Sequence, residues 1–173
     1  MQNNFLEELV AEWLEYNGYF VKRNERVGQF VKGGQGELDV VAFNPQKNHL
    51  IHVEAETSTF VDKPRKDMHS RNDSEKKFKR KFETGEKYIR DLFKGLTVPD
   101  VIEKEALFAY GSNKKGGTIG GGQVVLAKNY ILNILRELKK PSSLLRIVPE
   151  KYPILRVLQM VAYYWGYFDK GLK

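Results

Sequence analysis

The chain has 173 residues and carries 29 Lys and Arg against 22 Asp and Glu, for a net charge of +7, a length that suits one domain or one domain with a small appendage. It contains no cysteine, which excludes a disulfide framework, a zinc-thiolate site and a cysteine nucleophile together. The opening residues, MQNNFLEELVAEWLE, hold acids where a signal peptide has basic residues. No run of about 18 apolar residues follows them, so a cytoplasmic protein that does not enter a membrane is expected.

Phe5, Leu6, Leu9, Val10, Trp13 and Leu14 recur at helical spacing and Gly18 closes the pattern, predicting an amphipathic helix over roughly residues 4–17. A strand starts near Tyr19. The stretch from Gly28 to Gly36 holds four glycines and reads as a turn or flexible loop. Gln35 lies in it, and nothing local sets that residue apart from an ordinary turn position.

Next come two apolar runs, Leu38 to Phe43 and Leu50 to Ala55, joined by the turn-forming Asn44-Pro45-Gln46-Lys47-Asn48. They read as a β-hairpin. Strand side chains alternate, so Leu50, His52, Glu54 and Glu56 share one face while Ile51, Val53 and Ala55 take the other. Glu37, Asp39 and Val41 likewise share a face, so the hairpin can bring Asp39 to Glu54. The plain alternative is that these acids form a solvated face, the usual state of carboxylates. Against it, Asp39 interrupts an apolar strand and Glu54 ends one, and local rules broken in a group point to a site.

After Glu56 a polar linker is expected through Asn72. A helix then runs from a Ser74 N-cap to Phe93, with Phe78, Phe82, Tyr88, Ile89 and Leu92 inward. Between Lys63 and Lys81 the chain holds nine Lys and Arg against three acids, so nearly all the excess positive charge sits there. It is either a solvated helix face or a surface for a polyanion, with Arg65, Lys66, Arg71, Lys76, Lys77, Lys79 and Arg80 as the candidate phosphate contacts.

Strands are expected at Glu105 to Tyr110 and at Gln123 to Ala127, separated by GSNKKGGTIGGG. That segment lacks the GKS or GKT ending of a phosphate-binding P-loop, so it reads as a mobile loop near a ligand. A helix over roughly 129–140 ends at Pro141. The tail from Tyr152 to Phe168 is helical, and its Tyr163, Tyr164, Trp165, Tyr167 and Phe168 suit core packing, with a dimer contact or base stacking as lesser uses. The pattern predicts an α/β fold in which a mixed sheet is flanked by helices, with residues 1–140 as the main domain and 141–173 as a helical extension packed on it.

Asp39 and Glu54, with the carbonyl of Ala55, form a set of hard oxygen donors suited to Mg²⁺ or Mn²⁺. Such an ion would stabilise charge on a phosphodiester and supply hydroxide near neutral pH, with Glu56 orienting or deprotonating the water. His52 shares the face of Glu54, although a lone strand histidine is usually structural. His49 and His69 show no zinc-ligand spacing.

These segments resemble the PD-(D/E)XK nuclease superfamily, which includes restriction endonucleases, Mrr-type enzymes and Holliday-junction resolvases. FLEELVAEWLEYNGYFVKR is similar to its first helix and strand, GELDVVAF to its second strand and HLIHVEAE to its third. The resemblance covers roughly residues 5–127 and implies a restriction-endonuclease-like core. It also implies a metal-dependent endonuclease acting on DNA, with RNA as a further possibility, usually as a homodimer. By it, Glu7 matches the helix acid and joins Asp39, Glu54 and Ala55 around the metal, with Glu8 the near alternative. The chain departs from the family at Glu56, which stands where a lysine is usual; Lys76 or Lys77 from the next helix could replace it. Two other functions compete: a nucleic-acid-binding module that has lost hydrolysis, and a protein-interaction domain built on the aromatic tail.

Overall fold

A computed structural model describes residues 4–28, 36–60, 68–111, 117–140 and 146–171, with the side chains of 68–72 and 165–171 outside the description. The chain divides into two compact units, residues 1–127 and 128–173. The expected division at residue 140 therefore falls inside the second unit.

In the first unit the elements run α1 (Phe5–Tyr16), β1 (Phe20–Val27), β2 (Gly36–Asn44), β3 (His49–Phe60), α2 (Met68–Leu92), β4 (Ile102–Gly111), β5 (Thr118–Ile119) and β6 (Gly122–Leu126). The six strands form one mixed sheet in the order β1-β2-β3-β4-β6-β5. β2 pairs antiparallel with both β1 and β3, α2 carries the chain from β3 to a parallel β4, and β6 lies parallel to β4. This is the α/β architecture that the alternation of apolar periods predicts.

α1 begins at Asn4, whose side chain accepts from the N–H of Leu6, and ends at Asn17, followed by Gly18 at φ 81°. Leu6, Leu9, Val10 and Leu14 are its buried stripe, the i, i+3, i+4 spacing of a helix with one face on a core. β2 and β3 are central: every residue from Leu38 to Asn44 and from Leu50 to Glu54 is buried. One face of β3 meets α2, while Ile51 and Val53 are buried on the other, where α1 lies against β1, β2 and β3.

α2 is longer than expected. It is already helical at Met68, so Ser74 is an interior residue and not an N-cap, and residues 68–72 are not linker. Phe78, Phe82 and Ile89 are buried and Tyr88 and Leu92 are partly so, as the spacing requires. β5 was not apparent in the glycine-rich segment. Its turn presses on α2: a Cβ on Gly120, which has φ 57°, would overlap the backbone nitrogen of Lys79. Close packing against a helix, and not loop mobility, explains that glycine. Residues 112–116 of the same segment, like the loop residues 29–35 that include Gln35, lie outside the described residues.

The second unit contains α3 (Ala127–Leu138), which begins at the last residue of the first unit, and α4 (Pro153–Gly171). Gln159 of α4 pins the approach to that helix, accepting from the N–H of Val148 (2.9 Å) and donating to the carbonyl of Arg146 (2.7 Å). Tyr163 and Tyr164 are 60% and 49% exposed, so core packing is not their role. Trp165, Tyr167 and Phe168 have no described side chains. Among the described residues no helix is long and apolar enough to cross a membrane.

Candidate functional site

The site lies where β2 and β3 part. Their antiparallel ladder runs from Asn44–His49 to Val40–Val53 and stops there. From that point the start of β2 stays with β1 as far as Gly36–Val27, and the end of β3 stays with β4. The fork frees the N–H of Ala55, and the Asp39 carboxylate takes it at 2.9 Å. A side chain thus replaces the backbone partner that the ladder no longer provides, which a buried N–H demands.

Asp39 and Glu54 are 7% and 0% exposed. They are not a solvated face. Between them sits the ammonium of Lys81, from the middle of α2, donating to Asp39 Oδ1 at 2.9 Å and to Glu54 Oε2. The other oxygen of Glu54 meets Nε2 of the fully buried His52 at 2.6 Å. On the far side, the carbonyl of Ala55 accepts from the side-chain amide of Asn4 at 3.4 Å. One continuous polar chain therefore runs from His52 through Glu54, Lys81, Asp39 and Ala55 to the start of α1. Both oxygens of each carboxylate are engaged, which fixes both groups in place.

The electrostatics separate the two acids. Burial and the charge of Glu54 push Asp39 up to about 7, and Lys81 and the Ala55 N–H only partly oppose this. Burial acts on Glu54 too, but hydrogen bonding and charge from His52 and Lys81 outweigh it and hold its carboxyl below the usual range. Burial depresses Lys81, and the two carboxylates more than restore it, so it stays an ammonium at neutral pH. A second carboxyl held near neutrality, Glu105 at about 7, owes this to burial and then to Glu103. It is level with Val53 on β4, on the face away from Glu54.

Glu7, in the first turn of α1, stands in the field of Lys81, Glu37 and Glu54, and burial raises its carboxyl above the usual value. Glu56 is one-quarter exposed and forms an ion pair with Lys77. Lys76, Lys77, Lys79 and Arg80 are all exposed on α2, and Lys76, Lys77 and Arg80 with Asp73 line a surface hollow of about 300 Å³. Arg65 and Lys66 lie outside the described residues, and Arg71 is in α2 without a described side chain.

Lys81 is the residue at the centre of this cluster that the sequence did not single out. β3 and α2 run past each other as a three-rung zipper: His52 against Gly85, Glu54 against Lys81, Glu56 against Lys77. Two residues of strand advance about 6.6 Å and four of helix about 6 Å, so the spacings match. Of the lysines between 76 and 81, that register brings 77 and 81 to the acids and sends the others outward.

Among the described residues no three His, Asp or Glu side chains are grouped so as to hold a metal by themselves. Asp39, Glu54 and the Ala55 carbonyl are nevertheless hard oxygen donors, and the point between the two carboxylates already accommodates a positive charge. Their chemistry fits a small divalent ion that completes its shell with water.

No model of a known protein family and no curated protein matches the chain. It is similar to a crystal structure of a protein of unknown function, AF1548, with 13% identity over 92% of this chain and 96% of that one and a TM-score of 0.42. A likeness of that size says nothing about chemistry.

Proposed function

We propose that the protein is a Mg²⁺- or Mn²⁺-dependent endonuclease that hydrolyses DNA phosphodiester bonds, a member of the PD-(D/E)XK group its sequence resembles. The observation that carries this reading is the convergence of Asp39, Glu54 and Lys81 where β2 and β3 part: two fixed carboxylates and one ammonium beside an edge reached from a basic helix. Asp39, Glu54 and the Ala55 carbonyl would hold the ion, and Glu7, which stands in the field of Glu54 and Lys81, would orient its water. The ion supplies a Lewis acid and a water of lowered pKa. Lys81 takes the part of the missing strand lysine from a different element. Because it remains protonated, it stabilises negative charge on the phosphate and does not act as the base. Glu56, tied to Lys77, is left to the margin of the site, and the exposed cations of α2 hold the DNA backbone. Two copies would be needed to cut both strands.

One observation favours a second reading, binding without hydrolysis: the Lys81 ammonium occupies the point between the two acids and bonds to both. Plasmid cleavage with Mg²⁺ separates the two. The wild type should nick or cut, and Asp39→Ala and Lys81→Met should each lose at least about 100-fold in rate, the scale of a lost charge-stabilising group. Equal rates in all three proteins would sink the nuclease reading, and salt-sensitive DNA binding with no cleavage would favour the second.

A further inference from the structure

Hydrolysis at Asp39, Glu54 and Lys81 does not use His52, yet the fold goes to some length to hold it. The ring is fully buried, its Nε2 lies 2.6 Å from Glu54 Oε1, and Phe82 stands edge-on to it at 5.2 Å between centroids. On its remaining side it is pressed by the backbone of α2 at Gly85, where a Cβ would overlap both Nδ1 and Cε1. Nδ1 has no hydrogen-bond partner among the described residues. A buried polar nitrogen without a partner costs free energy, and an aliphatic side chain could fill the same space without that cost. The ring is therefore not explained by packing. The atom that it brings to a partner is Nε2, and that partner is a carboxylate whose second oxygen meets Lys81.

We propose that His52 is a positioning residue: clamped between Phe82 and Gly85, it anchors one oxygen of Glu54 so that the other is held toward Lys81 and Asp39. With His52 in place a single arrangement of Glu54 satisfies both of its oxygens. Without it, the carboxylate keeps only its bond to Lys81 and is free to rotate about its terminal bond. Outer partners of metal-binding carboxylates act in this way, and their loss typically costs ten- to a hundred-fold in metal affinity. The metal-binding consequence rests on the reading proposed above; the anchoring of Glu54 does not.

The test compares His52→Gln, whose terminal amide can place a donor where Nε2 stands, with His52→Leu, which fills the space and donates nothing. Crystal structures should show Glu54 turned toward Lys81 in the wild type and in the Gln variant, and rotated away in the Leu variant. Titration with Mn²⁺ alone, followed by water-proton relaxation, should give a dissociation constant within about threefold of the wild type for Gln and about ten- to a hundred-fold weaker for Leu. Thermal unfolding checks that each variant folds. Should the Leu variant not fold, Gly85→Ala serves instead: its methyl displaces a chemically intact ring, and Glu54 should move with it. An unmoved Glu54 in the Leu variant, or in Gly85→Ala with the ring displaced, overturns the proposal. Equal loss in Gln and Leu overturns it as well, because the donor would then be immaterial. A wild type that binds no Mn²⁺ removes the metal reading, and the crystal structures still decide whether His52 anchors Glu54.

Discussion

Lys81 is the residue on which stability and chemistry meet. It is the shared counter-ion of two buried acids, and removing one member of a buried ionic group leaves charge uncompensated, a loss of about 3–5 kcal/mol. The loss should depend on pH. Asp39 has a folded-state value of about 7 against an ordinary 3.8. Its folded form therefore binds a proton more tightly than its unfolded form, and the stability tied to that group falls as pH rises between those values. Lys81 is raised above 10.5, so its own contribution is intact until well above neutrality. In Lys81→Met, Asp39 should hold its proton to still higher pH. The deficit relative to wild type should then be smaller at pH 5.5, where it rests on Glu54 alone, than at pH 8.5, where the wild type carries both acid charges, read from urea unfolding at both. A deficit independent of pH would mean that the two acids do not depend on Lys81 for charge balance. Sequence alone placed Asp39 and Glu54 together, because strand alternation and one turn fix their faces. It could not choose Lys81 from among its neighbours, because a run of basic residues carries no helical phase. The phase came from Phe78, Phe82 and Ile89, and the pairing came from the register of α2 against β3, which is tertiary.

At the scale of elements, the apolar strands and the amphipathic α1 were legible because each carries its own period. The start of α2 was not. Ser74 has the character of a cap, and the segment Met68 to Asp73 is too polar to show an inward stripe, so a helix held by its later turns extends through residues that would not announce it. The glycines before β6 misled in the opposite direction, suggesting freedom where the structure uses close approach. Gly120 sits at φ 57° against the backbone of Lys79 and Phe78. A methyl there meets main-chain atoms that cannot swing aside, unlike the end of a flexible side chain. Gly120→Ala should therefore destabilise the fold by roughly 2–4 kcal/mol through combined steric and backbone strain. Urea unfolding measures it, and a change below about 0.5 kcal/mol would show that the β5–β6 turn is not seated on α2 as described.

For the molecule as a whole, the net charge of +7 is a statement about partners more than about fold. The sequence located the excess, and the structure sorts it: Lys81 is spent inside the site and Lys77 on Glu56, while Lys76, Lys79 and Arg80 remain exposed on α2. Of these, Lys79 forms a long ion pair with Glu83, 3.9 Å away on the next turn, an interaction worth little at a surface. If those three cations hold a nucleic-acid backbone, replacing them with alanine releases fewer counterions on binding, and the slope of log affinity against log salt should become shallower by about 0.9 for each phosphate no longer neutralised. The triple variant should thus reduce the magnitude of the slope by about two to three, and should unfold at nearly the wild-type urea concentration because none of the three is buried. Titration of a fluorescent duplex at several salt concentrations reads the slope, and parallel titration of a single strand and an RNA duplex shows which polyanion the surface prefers. A slope unchanged by the triple substitution would place the backbone-binding surface elsewhere and leave the outward face of α2 as solvated charge. A weaker affinity at unchanged slope would mean that the substitutions act through shape and not through charge.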